Sequence, residues 1–146
     1  FITTTLIMKS VKEVEKEIIE AFQKLPSVDA KYAYLFALAE DIPDMPPALK
    51  TNANLVKGCQ SKLWFFLNEE SNLFSLSADS DSMVIKGIAA LLVQLVEGRT
   101  AEEISLITLD FLDHIQIWKL ASARNNGLVA MLDHLHQHAR SDSDTY

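Results

Sequence analysis

A single cysteine, Cys59, lies in the run Lys57-Gly58-Cys59-Gln60-Ser61, and the apolar stretch Leu63-Trp64-Phe65-Phe66-Leu67 follows almost at once. A thiol at the mouth of a strand, between glycine and a polar residue, is placed to react. The thiolate is the nucleophilic form, and its fraction depends on local charge and exposure. Lys57 and Lys62 are close in sequence, and either can stabilise the anion. A free cysteine is equally at home as an inert, buried small hydrophobe. Spacing alone leaves both roles open.

Other residues offer chemistry less directly. His134 and His138 stand four apart, with His136 between them, so they share a helix face and could chelate a metal. The ligand count is short, and His near a helix C-terminus also suits the helix dipole. A cysteine hydrolase or peroxidase would need a histidine base within reach of Cys59, and His114 is the candidate nearer mid-chain. Asp79 and Asp81 resemble a paired-carboxylate site, but in a polar run before a helix they read as caps. Arg124, in the polar turn Ala123-Arg124-Asn125-Asn126-Gly127, could pair with an anion or a partner carboxylate.

Composition narrows the classes. The 146 residues suit one domain, and 49% hydrophobic with 23% charged residues supports a core without staples. A net charge of -7 argues against a nucleic-acid binder, which needs clustered Lys and Arg. One cysteine cannot form an internal disulfide, so a reducing compartment such as the cytoplasm is expected. The densest apolar run, Ile88 to Val96, is too short to cross a membrane. Residues 1–9 are expected to be a leader or a remnant, with Met8 as a natural start; 10–140 form the domain, and 141–146 a frayed tail.

The elements that must position these groups follow from periodicity. Ser10 and Glu13 form a capping box that opens a helix ended by Pro26. Asp29 can cap a second helix to about Glu40, and Pro43, Pro46 and Pro47 forbid regular structure after it. Two strand patterns, 62–68 and 73–78, flank a polar link that reads as a hairpin loop. A helix over about 82–96 is apolar on most sides and therefore central, and Gly98 stops it. Thr100 and Glu103 make a second capping box. One short helix is expected within 106–120, and a last from near Asn125 to about Ala139. Segregated elements predict an α+β fold, with a small antiparallel sheet of about three strands against several helices.

The run Asn54-Leu55-Val56-Lys57-Gly58-Cys59-Gln60-Ser61-Lys62-Leu63-Trp64 resembles the signature N-x-V-x-G-C-Q-S-x-V/L-W around the acceptor cysteine of SufE-type sulfur-transfer proteins. Three further blocks follow the order of that family. Ile42-Pro43-Asp44-Met45-Pro46 is similar to its L-P-x-L-P. Asp79-Ser80-Asp81-Ser82-Met83-Val84-Ile85-Lys86-Gly87, followed by Glu97-Gly98-Arg99-Thr100, is similar to its D-S-D-A-x-I-V-K-G and the block after it. Ala123-Arg124-Asn125-Asn126-Gly127-Leu128 is similar to its S-R-x-N/Q-G-L. The related CsdE-type proteins usually carry G-C-E-N, so Gln60-Ser61 favours the SufE side.

The resemblance implies a fold like that of IscU-type scaffolds and a role without cofactor or metal. Cys59 would accept persulfide sulfur from a pyridoxal-phosphate cysteine desulfurase of the SufS type, stimulate that enzyme, and pass the sulfur to an iron–sulfur scaffold complex. The resemblance assigns Gly58, Gln60, Asp81 and Arg124 to loop positioning or partner contact. On that view the chain is a transfer partner rather than an enzyme. A loop that hides Cys59 in the free protein and extends it in the complex would combine protection with delivery.

Overall fold

The computed structural model describes residues 9–57, 61–108, 110–115 and 125–143, with backbone alone at 113, 125–128 and 141–143. Helix α1 spans Val11–Gln23 and starts at the expected capping box, with Ser10 Oγ accepting from Glu13 N and the Glu13 carboxylate accepting from Ser10 N. Such a cap contributes about 1 kcal/mol. Helix α2 spans Val28–Asp41. Its cap is Ser27, which accepts from Ala30 N, and Asp29 sits in the first turn instead, where its charge suits the helix dipole. The proline segment then runs through two short 3-10 turns, Pro47–Leu49 and Asn52–Asn54.

Strands β1 (Leu63–Glu70) and β2 (Leu73–Ser80) form an antiparallel hairpin. They are joined by Ser71 and Asn72, both at positive φ, 54° and 68°. Two left-handed residues match the type I′ geometry that suits the twist of a tight hairpin. The register pairs Phe65 with Ala78 and Leu67 with Leu76, placing these buried residues on one face. Helix α3 (Met83–Val96) packs on that hairpin through β2, and α2 packs against α3. Ile88, Leu91, Leu92 and Leu95 are buried, which makes α3 the centre of the core as its composition predicts. Helix α4 (Ala101–Ile104) opens on the second capping box. Helix α5 (Asp110–Ile115) packs on α1. Helix α6 spans Asn125–Ser143, extending past the expected Ala139, and packs on α4 and β1.

The α+β class stands, with one correction: the sheet has two strands among the described residues, not about three. Each edge carries a single bridge instead. Leu55 pairs with Trp64 on one side, and Arg99 with Phe74 on the other. Neither flank extends into a strand, because the 3-10 turn at 52–54 precedes Leu55 and Gly98, at φ 72°, turns the chain before Arg99. The buried Arg99 side chain secures its flank, donating from Nε to the Leu95 carbonyl at 3.0 Å and from Nη1 to the Lys9 carbonyl at 2.6 Å.

Helices α2 and α3 meet closely at Gly87. A Cβ there would collide with the Leu35 carbonyl and lie 2.9 Å from the Leu35 Cβ. Alanine gains helix propensity of about 1 kcal/mol over glycine, yet forcing two backbones apart costs about 1–3 kcal/mol and occasionally more. Gly87→Ala is expected to destabilise the chain by up to about 2 kcal/mol net, read as a lower urea midpoint at unchanged m.

Candidate functional site

The cysteine loop is defined by its feet. Val56 N donates to the Leu63 carbonyl at 2.8 Å, and Leu55 bridges Trp64 beside it. The segment 57–62 is therefore flanked by residues paired in the sheet's own hydrogen-bonding direction. Gly58, Cys59 and Gln60 lie outside the described residues, as does Arg124. Of Gly58, Cys59, Gln60, Asp81 and Arg124, which the resemblance assigns to the site, Asp81 is described, and it holds the second foot. Its Oδ1 accepts from Lys62 N at 3.1 Å, while its own N donates to the Lys62 carbonyl at 3.2 Å. Ser80 Oγ donates to the same carbonyl at 2.6 Å. Lys62 thus has both backbone groups tied to the end of β2.

The cap before α3 is Ser82, which accepts from Ile85 N at 3.3 Å. The expectation that Asp79 and Asp81 act as caps is thereby corrected. Asp79 is buried, and its carboxylate gathers four donors. Oδ1 accepts from Ser80 N at 2.8 Å and faces Lys86 Nζ at 3.2 Å; Oδ2 accepts from Met45 N at 2.9 Å and faces Lys50 Nζ at 3.3 Å. Burial works against its charge. The Met45 amide, Lys86 and the Ser80 amide outweigh that cost and hold the carboxyl below its ordinary value. Burial likewise penalises Lys86, but hydrogen bonds to Asp44 and Asp79 raise its pKa. Lys50 also lies over the Trp64 ring, 5.1 Å from its centroid. Sequence reasoning missed this cluster. The available signal was Lys86 itself, a lone cation within an apolar helix that requires a buried counter-ion.

Beside the first foot a groove of about 520 Å³ opens between residues 52–57 and α6, lined by Asn52, Leu55, Lys57, Val129, Asp133, His134 and His138 among others. His134 and His138 are stacked with centroids 4.0 Å apart, and Phe65 meets His134 edge-on at 6.0 Å. Burial, and then the neighbouring His138, lower the His134 pKa to about 4, so it is neutral at pH 7. His134 Nε2 is buried with no hydrogen-bond partner among the described residues. Among those residues no group of three or more His, Cys, Asp or Glu is arranged to hold a metal. His136 instead donates to the Ile107 carbonyl at 3.1 Å, tying α6 to the turn after α4. His114 is exposed on α5 and makes a local bond to the Asp110 carbonyl at 2.8 Å.

A two-stranded hairpin backed by helices, with the flanks of segment 57–62 tied to it, defines an α+β domain. The same fold occurs in a Thermus thermophilus protein solved in solution, at TM-score 0.75 and 22% identity, covering 90% of this chain and 97% of that one. The chain belongs to the SufE family, whose Fe-S metabolism associated domain matches residues 16–139. It is 40% identical over 120 residues to the chloroplastic/mitochondrial SufE-like protein 1 of Arabidopsis thaliana, covering 80% of this chain. An uncharacterized SufE-like protein of Rhizobium meliloti is 31% identical over 122 residues, and the sulfur acceptor protein CsdE of Escherichia coli 29% over 113. The matched segments cover 80% and 75% of this chain, respectively. The match spans 32% of the Arabidopsis protein's length, against 87% of the rhizobial and 77% of the Escherichia coli one.

Because the unfolded chain protonates His134 near pH 6.5 and the folded chain only near 4, stability is full above the first value and falls as pH drops towards the second. His134→Gln is expected to flatten that decline by about 1 kcal/mol at pH 5, after allowance for partial exposure. Urea midpoints of the two proteins at pH 7 and pH 5 check this.

Proposed function

We propose that this chain is a sulfur acceptor that takes persulfide sulfur onto Cys59 from a pyridoxal-phosphate cysteine desulfurase of the SufS type. The observation that carries the proposal is the closed base of residues 57–62, where Val56 pairs with Leu63 and Asp81 holds Lys62 around the chain's one cysteine. Membership of the SufE family and the relation to CsdE, named a sulfur acceptor, give that thiol its chemistry.

The Cys59 thiolate attacks the terminal sulfur of the desulfurase persulfide. The S–S bond of that persulfide breaks, the desulfurase cysteine leaves as a thiolate, and Cys59 carries S–SH. Charge and oxidation level balance, and no external reductant enters. The exchange depends on thiolate fraction, leaving-group pKa and access. Freeing the desulfurase cysteine for another cycle accounts for stimulation. Gly58 lets the backbone bend close to a partner. Gly58, Gln60 and Arg124 serve loop conformation and partner contact, and Asp81 fixes the foot from which the loop extends. The groove beside Lys57 offers shelter for a persulfide, which is easily oxidised.

A chain with one cysteine cannot by itself supply the several thiolates of a cluster. The sulfur therefore passes on to an iron–sulfur scaffold complex. The setting is a reducing compartment such as the cytoplasm, where a lone thiol survives. No helix among the described residues is long and apolar enough to cross a membrane.

Incubation with a SufS-type desulfurase, its cofactor and cysteine is expected to add the mass of a single sulfur atom to the wild-type chain. Cys59→Ser should show no gain and lose stimulation of the desulfurase. Uptake persisting in Cys59→Ser would overturn the assignment.

A further inference from the structure

We propose that Asp79 is a positioning residue for the cysteine loop, acting through Lys50 and Lys86 on the segment that delivers the chain to the loop. The proposal deepens the sulfur-acceptor reading, because it takes Cys59 as the reacting thiol.

Three elements converge on the Asp79 carboxylate. It sits near the end of β2, opposite Trp64 in the hairpin register. Lys86 reaches it from α3 at 3.2 Å, and Met45 N from the proline segment at 2.9 Å. Pro43, Pro46 and Pro47 have no N–H, so Met45 N is one of the few backbone donors by which this segment can be tied down. Lys86 adds a second tie, to Asp44 at 2.9 Å.

From there the chain reaches Lys50, whose ammonium lies between Asp79, at 3.3 Å, and the Trp64 ring. Trp64 pairs in turn with Leu55, two residues before Lys57. Asp79 therefore fixes the approach to the first foot, while its near neighbours Ser80 and Asp81 fix Lys62 at the second. One run of sequence holds both ends of the loop.

A buried ion pair is a poor way to gain stability, since well-packed apolar residues of similar volume often do as well or better. Apolar replacements could fill this space, but they could not receive the Met45 amide and two ammonium groups in fixed directions.

The test is alkylation of Cys59 by iodoacetamide, read by intact mass across a pH series that separates the plateau rate from the thiol pKa. Asp79→Asn keeps the shape and one acceptor oxygen but releases both lysines. Its plateau rate is expected to differ from wild type by about fivefold or more at temperatures where it is folded. Phe22→Leu, a core change away from the cluster, should leave the rate unchanged even if it melts as early. A wild-type plateau in folded Asp79→Asn overturns the proposal. Should Asp79→Asn fail to fold, Lys50→Met decides the matter, because it leaves the buried pair intact. A shift of about threefold supports the proposal, and a wild-type rate overturns it. No desulfurase is needed, so this result is independent of whether wild-type Cys59 takes up sulfur.

Discussion

The buried carboxylate of Asp79 cannot be solvated by water, so its charge must be met by donors fixed in place, and much of the site's geometry follows from that demand. Four donors from the proline segment, α3 and β2 itself converge on it. Breaking such a pair from one side leaves an uncompensated charge, a loss of about 3–5 kcal/mol in comparable buried pairs. The cluster thus locks together elements that sequence separation would otherwise leave independent. Just beyond it, Ser80 and Asp81 bind the backbone of Lys62. The end of β2 serves at once as strand terminus, ionic hub and bracket for the loop.

Local chemistry was legible in the sequence, and distant partnership was not. Both capping boxes, Ser10 with Glu13 and Thr100 with Glu103, form where their spacing places them, because a cap depends on four consecutive residues. The apolar wrap of α3 likewise announced its central position. The hairpin was visible, but its turn is narrower than the polar link suggested, since Ser71 and Asn72 adopt left-handed backbone without a glycine. A third strand was expected and single bridges at Leu55 and Arg99 occur instead, because turns beside those residues interrupt pairing. Asp79 read as a cap since its true partners, Lys50, Met45 and Lys86, are separated from it by turns, strand and helix. Nothing in their spacing records that they meet. Of the proposed site, Cys59 and Asp81 stand out in sequence motifs, whereas the contacts that tie Asp81 to Lys62 required the fold.

The architecture also suits a carrier more than a store. The chain has one thiol, and the residues that flank its segment are tied together by the Val56 to Leu63 hydrogen bond. On the proposed reading, sulfur received at Cys59 has no second cysteine in this sequence to move to.

The approach to segment 57–62 and both of its flanks are held by three specific amide donors: Met45 to Asp79, Val56 to Leu63 and Lys62 to Asp81. Residue-resolved amide hydrogen exchange on the free chain measures them directly. These three amides are expected to be protected to a degree comparable with those of β1. Exchange of all three at the rate of an open loop, with β1 still protected, would contradict it.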